Sequence, residues 1–393
     1  MDTITHAFAG ALLGKGLFTT RRGETPAEFS PQSRVLIAAA TIGSIFPDID
    51  FFYQFLSRDD LAILKYHRYI THSLVMLPLW AVGIAWLVCW AARRFGAAPP
   101  SFGWTALATA AGIASHILLD VVTSFGTMIW SPLSRVRAQW DWMFVIDFTL
   151  SALLLTPQMA AWSHRDPARS TKRASRMWAM FTVLTLAVAW LGIYSGFPFS
   201  LWVVPIASAI FGALFFLPLI GARGTRIRRS TWARAGLLAS CGYLLLCAAA
   251  HHIALTRLQR FVANQKLNVQ ALAALPLAPS ILQWDGLIRT PDGAYRLHQD
   301  LLSTDTVDYD FYPDNAPENL VDAARQLPDT QTYLWFARFP IYRVRPGDGN
   351  SVLQISDLRF MLRNLRRSPG FSFRVTFDSA GRPIEGRMGR FEP

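Results

Sequence analysis

Apolar runs of about 20 residues, separated by short polar stretches, dominate the first two thirds of the chain. They lie at roughly 35–56, 73–92, 104–125, 142–162, 177–197, 201–221 and 233–255. Each is near the ~20 residues a helix needs to cross a bilayer. Residues 3–19 predict a shorter helix rich in small residues (Ala7, Ala9, Gly10, Ala11, Gly14, Gly16), either a tilted span or a half-inserted one. After His251 and His252 the pattern changes to mixed polar and apolar positions with frequent Pro, Gly and Asp, as in a soluble domain. Helical periodicity continues to about Ala274. Alternation of period two then predicts strands at 332–343, 352–360 and 371–377, the last closed by a turn at 378–381. The expected architecture is an α-helical polytopic membrane domain of seven or eight helices, residues 1–256, followed by a soluble α+β domain, residues 257–393.

Composition agrees with this reading. Of the 393 residues 52% are hydrophobic and only 16% charged, and the mean hydropathy is +0.26, too apolar for an ordinary soluble enzyme. The net charge of +12 is uneven. Residues 1–256 carry 21 Lys and Arg against 11 Asp and Glu, a surplus of 10, whereas residues 257–393 carry 17 against 15, a surplus of 2. The basic excess is therefore a topology signal, and no nucleic-acid partner is expected. Cys89, Cys241 and Cys247 lie in apolar runs, without disulfide or zinc-knuckle spacing, and read as packing residues. No basic n-region or small-residue cleavage site marks a signal peptide, so Met1 and Asp2 are expected on the mature protein.

Charge then orients the chain. Arg165, Arg169, Lys172, Arg173 and Arg176 crowd one loop, and Arg223, Arg226, Arg228, Arg229 and Arg234 another; both are expected in the cytoplasm. The uncharged turn at 195–200 falls outside. Alternating backwards puts Lys15, Arg21, Arg22, Arg34, Arg93 and Arg94 inside and residues 57–72 and 126–141 outside. This arrangement has 16 basic residues inside against 5 outside. The expected location is a bacterial inner membrane, multi-pass, with the C-terminal domain in the periplasm and membrane lipids as neighbours.

The same arrangement gathers chemistry at one level. Asp2, His6, Asp48, Asp50, His67, His72 and Asp120 reach the outer ends of their helices, joined by Asp141 and Asp147. Six of the 11 acidic residues in the membrane half sit at this level. His116 and Asp120, like Asp2 and His6, are four apart and share a helical face. Asp48 and Asp50 follow Pro47, which disfavours a helical Phe46 and is expected to break the span and turn both carboxylates to one point. His67 and His72, five apart, cannot share a face, so one is expected to end a loop and the other to open the next helix. Imidazole with carboxylate and no thiolate suits zinc, with manganese or iron(II) as alternatives. The number of ligands implies one or two ions, and hydrolysis of a phosphoester is the natural chemistry.

For each residue a plainer reading stands beside this one. Asp120 alone would be a helix–helix hydrogen-bond partner, His6 alone an interface residue, and Trp140 and Trp142 an aromatic belt. His251 and His252 read as interfacial. Arg68, Arg135 and Arg137 are either anion-binding residues or a solvated face.

The sequences Met-Asp-x-x-Thr-His, Phe-Pro-Asp-Ile-Asp, His-Arg-x-x-Thr-His-Ser and His-x-x-x-Asp-x-x-Thr-Ser-Phe-Gly, in this order over residues 1 to about 150, resemble the YdjM-like inner-membrane proteins, described as metal-dependent hydrolases. Asp285-Gly286 and Ile355-Ser356-Asp357-Leu358-Arg359-Phe360 look like the tail of the longer members. The family is distantly similar to zinc-dependent phospholipase C and related nucleases. That resemblance implies metal ligands at His6, Asp48 or Asp50, His67 or His72, and His116 with Asp120. Asp50, Arg68 and His72 become candidate catalytic residues, with Asp2, Asp141 and Asp147 supporting the ligands. The secreted enzymes also use a processed N-terminal residue and further histidine-rich segments. This chain has neither, and Asp141 and Asp147 are the visible substitutes.

The leading expectation is thus a membrane-embedded metal-dependent hydrolase acting on a phosphoester, lipid phosphoesters included. The alternatives are a metal-binding transporter, which should show two related halves with broken helices, and a non-catalytic protein whose His/Asp cluster staples helices together. No internal repeat is visible. Considered as a pair alone, His116 and Asp120 predict that Asp120→Asn would remove metal but leave insertion nearly unchanged.

Overall fold

Glycine and alanine at helix contacts, and hydroxyl or carboxylate caps at helix starts, shape the N-terminal two thirds. The computed structural model describes residues 1–19, 28–194, 200–278, 281–303, 308–346, 351–361 and 371–389. Arg21 and Arg22 and most of the turn at 195–200 lie outside them. In chain order the helices are α1 (Thr3–Leu17), α2 (Pro31–Ile45), α3 (Tyr53–Leu56), α4 (Ala62–Tyr66), α5 (Leu77–Arg94), α6 (Phe102–Val121), α7 (Phe148–Ser163), α8 (Ser170–Tyr194), α9 (Val203–Phe216), α10 (Arg223–Arg226) and α11 (Arg229–Gln265). Asp2, Ser30, Ser101 and Asp147 cap α1, α2, α6 and α7 by accepting a backbone N–H in the first turn.

Among the described residues, five helical stretches are long and apolar enough to cross a membrane: Pro31–Leu56, Phe102–Val121, Pro167–Tyr194, Val203–Arg226 and Arg229–Gln265. Ala62–His72 with Leu77–Arg94 makes a sixth if this pair, bent by 74°, is one broken span. The expected seven or eight helices included α1 and α7. These have 15 and 16 residues, about 22–24 Å of helix against a hydrocarbon core of about 30 Å.

The described residues form two compact units. The first comprises Met1–Ile49, Arg68–Gln139 and Val145–Leu245; the second comprises Asp50–His67, Trp140–Phe144 and Leu246–Pro393. In the first, α2 packs on both α1 and α6 through glycines. A Cβ at Gly112 would collide with the carbonyl of Ala40, one at Gly43 with that of Thr109, and one at Gly10 with Ser44. Contact between small residues is how apolar helices approach closely without a hydrophobic driving force. Leu36, Ala39, Ala40 and Ala108 form the dry centre of this trio.

The second unit holds two antiparallel four-stranded sheets. Strands β1 (Ala271–Pro276), β2 (Gln283–Thr290), β3 (Gly293–Asp300) and β4 (Asp308–Pro313) pair in sequence order, as do β5 (Pro340–Pro346), β6 (Ser351–Asp357), β7 (Ser372–Phe377) and β8 (Pro383–Gly389). Helices α12 (Glu318–Arg325) and α13 (Pro328–Phe336) connect them. Ala273, Leu275 and Leu287 from the first sheet share a core with Ile341 from the second and with Phe339 just before it. Ala250, Ala254 and Leu258 line one face of α11 and cover the first sheet at Ala274, Trp284 and Ile288.

Several expectations change here. Residues 271–276 are strand rather than the end of a helix, because Ala274 is needed in the sheet core. Residues 328–336 are helix, and the expected strand at 332–343 starts only at Pro340. The strand expected at 352–360 ends at Asp357, followed by a 3-10 turn over Leu358–Phe360. The turn at 378–381 is present, with Gly381 at φ +75°. Gly286 is required where α11 crosses the sheet, since a Cβ there would lie 2.6 Å from Leu258. Asp357 pairs with Arg359 at 2.7 Å and, with Tyr333, ties α13 to β6. Burial, then the Asp357 carboxylate, pushes the Tyr333 hydroxyl well above its ordinary range. It therefore stays a donor to Phe371 O at 2.8 Å. Both stretches noted in this domain serve packing.

Candidate metal centre

The spacing of His116 and Asp120 puts both on the face of α6 that meets α1 and α2, where both are fully buried. A 3-10 helix, Phe46–Phe52, continues from α2. Phe46 stays right-handed helical despite the proline after it (φ −53°, ψ −42°). Pro47, which cannot donate a helical hydrogen bond, thus tightens the helix rather than breaking it. The tighter turn separates the two carboxylates: Asp48 faces His72 and His116, while Asp50 accepts from His67 at 2.8 Å. His67 caps the end of α4 rather than ending a loop, and His72 closes a 3-10 turn at Ile70–His72, five residues before α5, rather than opening that helix.

Four side chains, Asp48, His72, His116 and Asp120, each offer one donor atom, all within 4.8 Å of one another. The Nε2 atoms of His72 and His116 are 3.0 Å apart. Asp48 Oδ1 lies 3.8 Å from His72 Nε2 and 3.5 Å from His116 Nε2. Asp120 Oδ2 lies 3.2 Å and 3.5 Å from the same two atoms. A tetrahedral ion with bonds of about 2.0–2.1 Å has ligand–ligand edges of about 3.3–3.4 Å, the middle of this range.

Proton placement supports the fit. His116 Nδ1 is 2.7 Å from Ser44 O. A carbonyl only accepts, so Nδ1 carries the proton and Nε2 presents a lone pair to two carboxylates and a second imidazole. Such a crowd of electron pairs calls for a cation. A ring N–H on a backbone carbonyl and a hydrogen-bonded carboxylate are also the usual supports of metal ligands. Here the second is supplied by Thr3 Oγ1, which donates to Asp48 Oδ2 at 2.6 Å. The group could therefore hold a metal ion.

The other candidates have distinct places. His6 is fully buried and stacked on His116 with ring centroids 3.6 Å apart, its Nε2 3.4 Å from Asp120 Oδ1. Neither of its ring nitrogens has a hydrogen-bond partner among the described residues. Arg68, 3% exposed, pairs through Nη2 with Asp120 Oδ1 at 2.8 Å, and Met1 N bonds the same oxygen. Arg68 is thus neither a solvated cation nor an open anion site. It sits at φ +63°, a left-handed conformation that costs an L-residue about 1–2 kcal/mol. Its ion pair and the bond from Met128 N to its carbonyl, 3.0 Å, hold it there. Asp2 and Asp147 serve as caps, and Asp147 also accepts from Tyr243 at 2.8 Å. Asp141 is taken by Arg338 at 2.9 Å.

Arg135 lies over Tyr69, and Arg137 donates to Gly126 O. Trp140 and Trp142 pack on each other, and His251 lies against Trp284. Cys89 and Cys247 are buried and Cys241 exposed, none in a disulfide. Sequence reasoning gives no role to Thr3, Ser44, Gly43 or Gly112. A single hydroxyl at the start of α1 or inside α2 carries no signal of its own, but the small-residue spacing of α1 is visible.

Helices long and apolar enough to cross a membrane, packed about a buried Asp/His/His/Asp group, define the class as an apolar helical bundle with a potential metal centre. More particularly, residues 1–196 match the model of the family described as YdjM inner membrane protein. Together with the apolar helices, this match supports an inner-membrane protein. No curated protein and no solved structure matches.

Proposed function

We propose that the protein is a membrane-embedded, metal-dependent hydrolase of phosphoesters, lipid phosphoesters among them, working at the periplasmic face of the inner membrane. The observation that carries this reading is the convergence of two imidazole Nε2 atoms and two carboxylates within 4.8 Å of one another. Such a donor set without thiolate favours zinc over manganese or iron(II). One ion satisfies it, because Asp120 Oδ1 is already engaged by Arg68. A bound divalent cation supplies a polarised phosphoryl oxygen and an acidic water. Asp48 is the exposed edge of the group: its side chain is 10% exposed, whereas those of His72, His116 and Asp120 are at 0%. Water and substrate therefore approach past Asp48. Arg68 offsets the charge of Asp120 instead of gripping substrate.

Four protein donors and deep burial also favour a second reading, a closed metal that fastens the 3-10 end of α2, the turn at Ile70–His72 and α6. The two are separated by turnover. Zinc-loaded protein should cleave bis(p-nitrophenyl) phosphate, and His116→Ala should abolish both cleavage and metal content. Stoichiometric zinc with no turnover of that ester or of a phospholipid would leave only the fastening role.

The periplasmic placement is supported by the 16 to 5 division of basic residues. It is tested with Asp300→Cys in a Cys241→Ser background, since Cys241 is the exposed native thiol. An impermeant maleimide added to spheroplasts should label position 300. Labelling only after the membrane is opened would put the domain in the cytoplasm.

A further inference from the structure

A second polar cluster lies in the first unit, away from every residue named above as a metal candidate. His164 caps the end of α7 and is 1% exposed. Neither of its ring nitrogens has a hydrogen-bond partner among the described residues. Its ring stacks on Trp232 of α11, with centroids 6.0 Å apart and planes 18° from parallel. Gly224 of α10 is pressed against the same ring, where a Cβ would come within 2.7 Å. Trp232 Nε1 and Arg173 Nη1 are likewise buried without a partner. Arg173 belongs to the same neighbourhood: its guanidinium lies 5.0 Å over the Trp162 ring, and its Nη2 is 3.8 Å from Asp166.

Buried polar atoms are almost always satisfied, so a group of orphans calls for a missing partner. Indole N–H and guanidinium N–H only donate, so that partner must accept. A single water accepts two bonds at most and would leave its own protons facing donors. The surroundings add charge: Arg165, Arg169, Lys172, Arg223, Arg226 and Arg228 lie on the flanking segments, against Asp166 alone. A compact phosphate-type anion meets these conditions: its bare oxygens accept from the indole, guanidinium and imidazole N–H groups, and a protonated oxygen can donate to the remaining imidazole nitrogen.

We propose that the junction of α7, α8 and α11 at His164, Arg173 and Trp232 binds a phosphate-type oxyanion, carried by an anionic lipid headgroup or free in solution. Basic recesses between apolar helices are suited to such headgroups. The site is independent of the metal centre and of its proposed chemistry.

The test uses the full-length protein in phosphatidylcholine nanodiscs, with phosphatidylglycerol or inorganic phosphate as the added probe. Binding is read by native mass spectrometry and by the shift in melting temperature. Wild type should bind one of the two probes. Arg173→Gln should weaken that binding roughly tenfold or more, as expected for loss of a charged hydrogen bond, and Trp232→Phe roughly threefold to tenfold. Trp232→Phe keeps an aromatic ring on His164, so its effect is not one of unfolding. Arg94→Gln, an exposed cation, should bind as wild type. Response to phosphatidylglycerol alone identifies a lipid headgroup, and response to phosphate alone a soluble anion. No response to either probe, or equal binding by wild type and both variants, overturns the proposal.

Discussion

Asp120→Asn is expected to strip the metal centre and to destabilise the protein in the same step. Asp120 is fully buried and supplies one of four converging donors, so the amide should lower metal affinity by more than ~100-fold, the upper end of what loss of an outer support costs. Its other oxygen faces Arg68 at 2.8 Å, and Arg68 is itself buried. Removing one partner of a buried ion pair typically costs about 3–5 kcal/mol, because the remaining charge has no compensation. The pair His116 and Asp120, considered alone, predicted nearly unchanged insertion for this variant. Burial of Arg68 against the same carboxylate reverses that expectation. The two effects come apart in Arg68→Met/Asp120→Asn, which removes the stranded guanidinium and leaves only the Met1 amine beside the amide. It should regain much of the melting temperature while still lacking metal by elemental analysis. Wild-type metal content in the double variant would show that Asp120 belongs to an ion pair and not to a metal centre.

Neighbouring residues should divide sharply in a second experiment. Asp48→Asn and His72→Gln should each reduce bound metal to a small fraction of wild type. Asp50→Asn and His67→Gln, two and five positions away, should retain it. The reason is geometric: Asp48 and His72 face His116, whereas Asp50 and His67 bond each other at 2.8 Å. Metal-to-protein ratios of the four purified variants decide the matter. Equal loss in all four would mean that the 50/67 pair also holds an ion, and equal retention would remove the centre altogether.

How much of this was legible in the chain varies by element. Every long apolar run corresponds to a helix, because a continuous apolar segment of that length must satisfy its own backbone wherever water is absent. The i, i+4 spacing of His116 and Asp120 was enough to place them on one face of α6, since helical periodicity is a local property. The alternation at 371–377 likewise marked β7. Residues 332–336 were misread because Thr, Tyr, Trp and Phe favour strands in general, while Pro328 and the burial of Tyr333 and Phe336 select a helix here.

The division of the ligand candidates was not legible at all. Asp48 and Asp50 stand in the same short sequence, as do His67 and His72, and nothing local distinguishes the members of each pair. The 3-10 continuation of α2 turns Asp48 and Asp50 apart, and the turn at Ile70–His72 brings His72 to His116. Arg68 was equally ambiguous, because its role depends on a carboxylate 52 positions away. Chain-local physics determined that the long apolar segments are helices and which residues are able to bind a metal. Only the close approach of α1, α2 and α6, permitted by Gly10, Gly43 and Gly112, decided which of those residues meet, since donor convergence is a property of distances that no stretch of sequence contains.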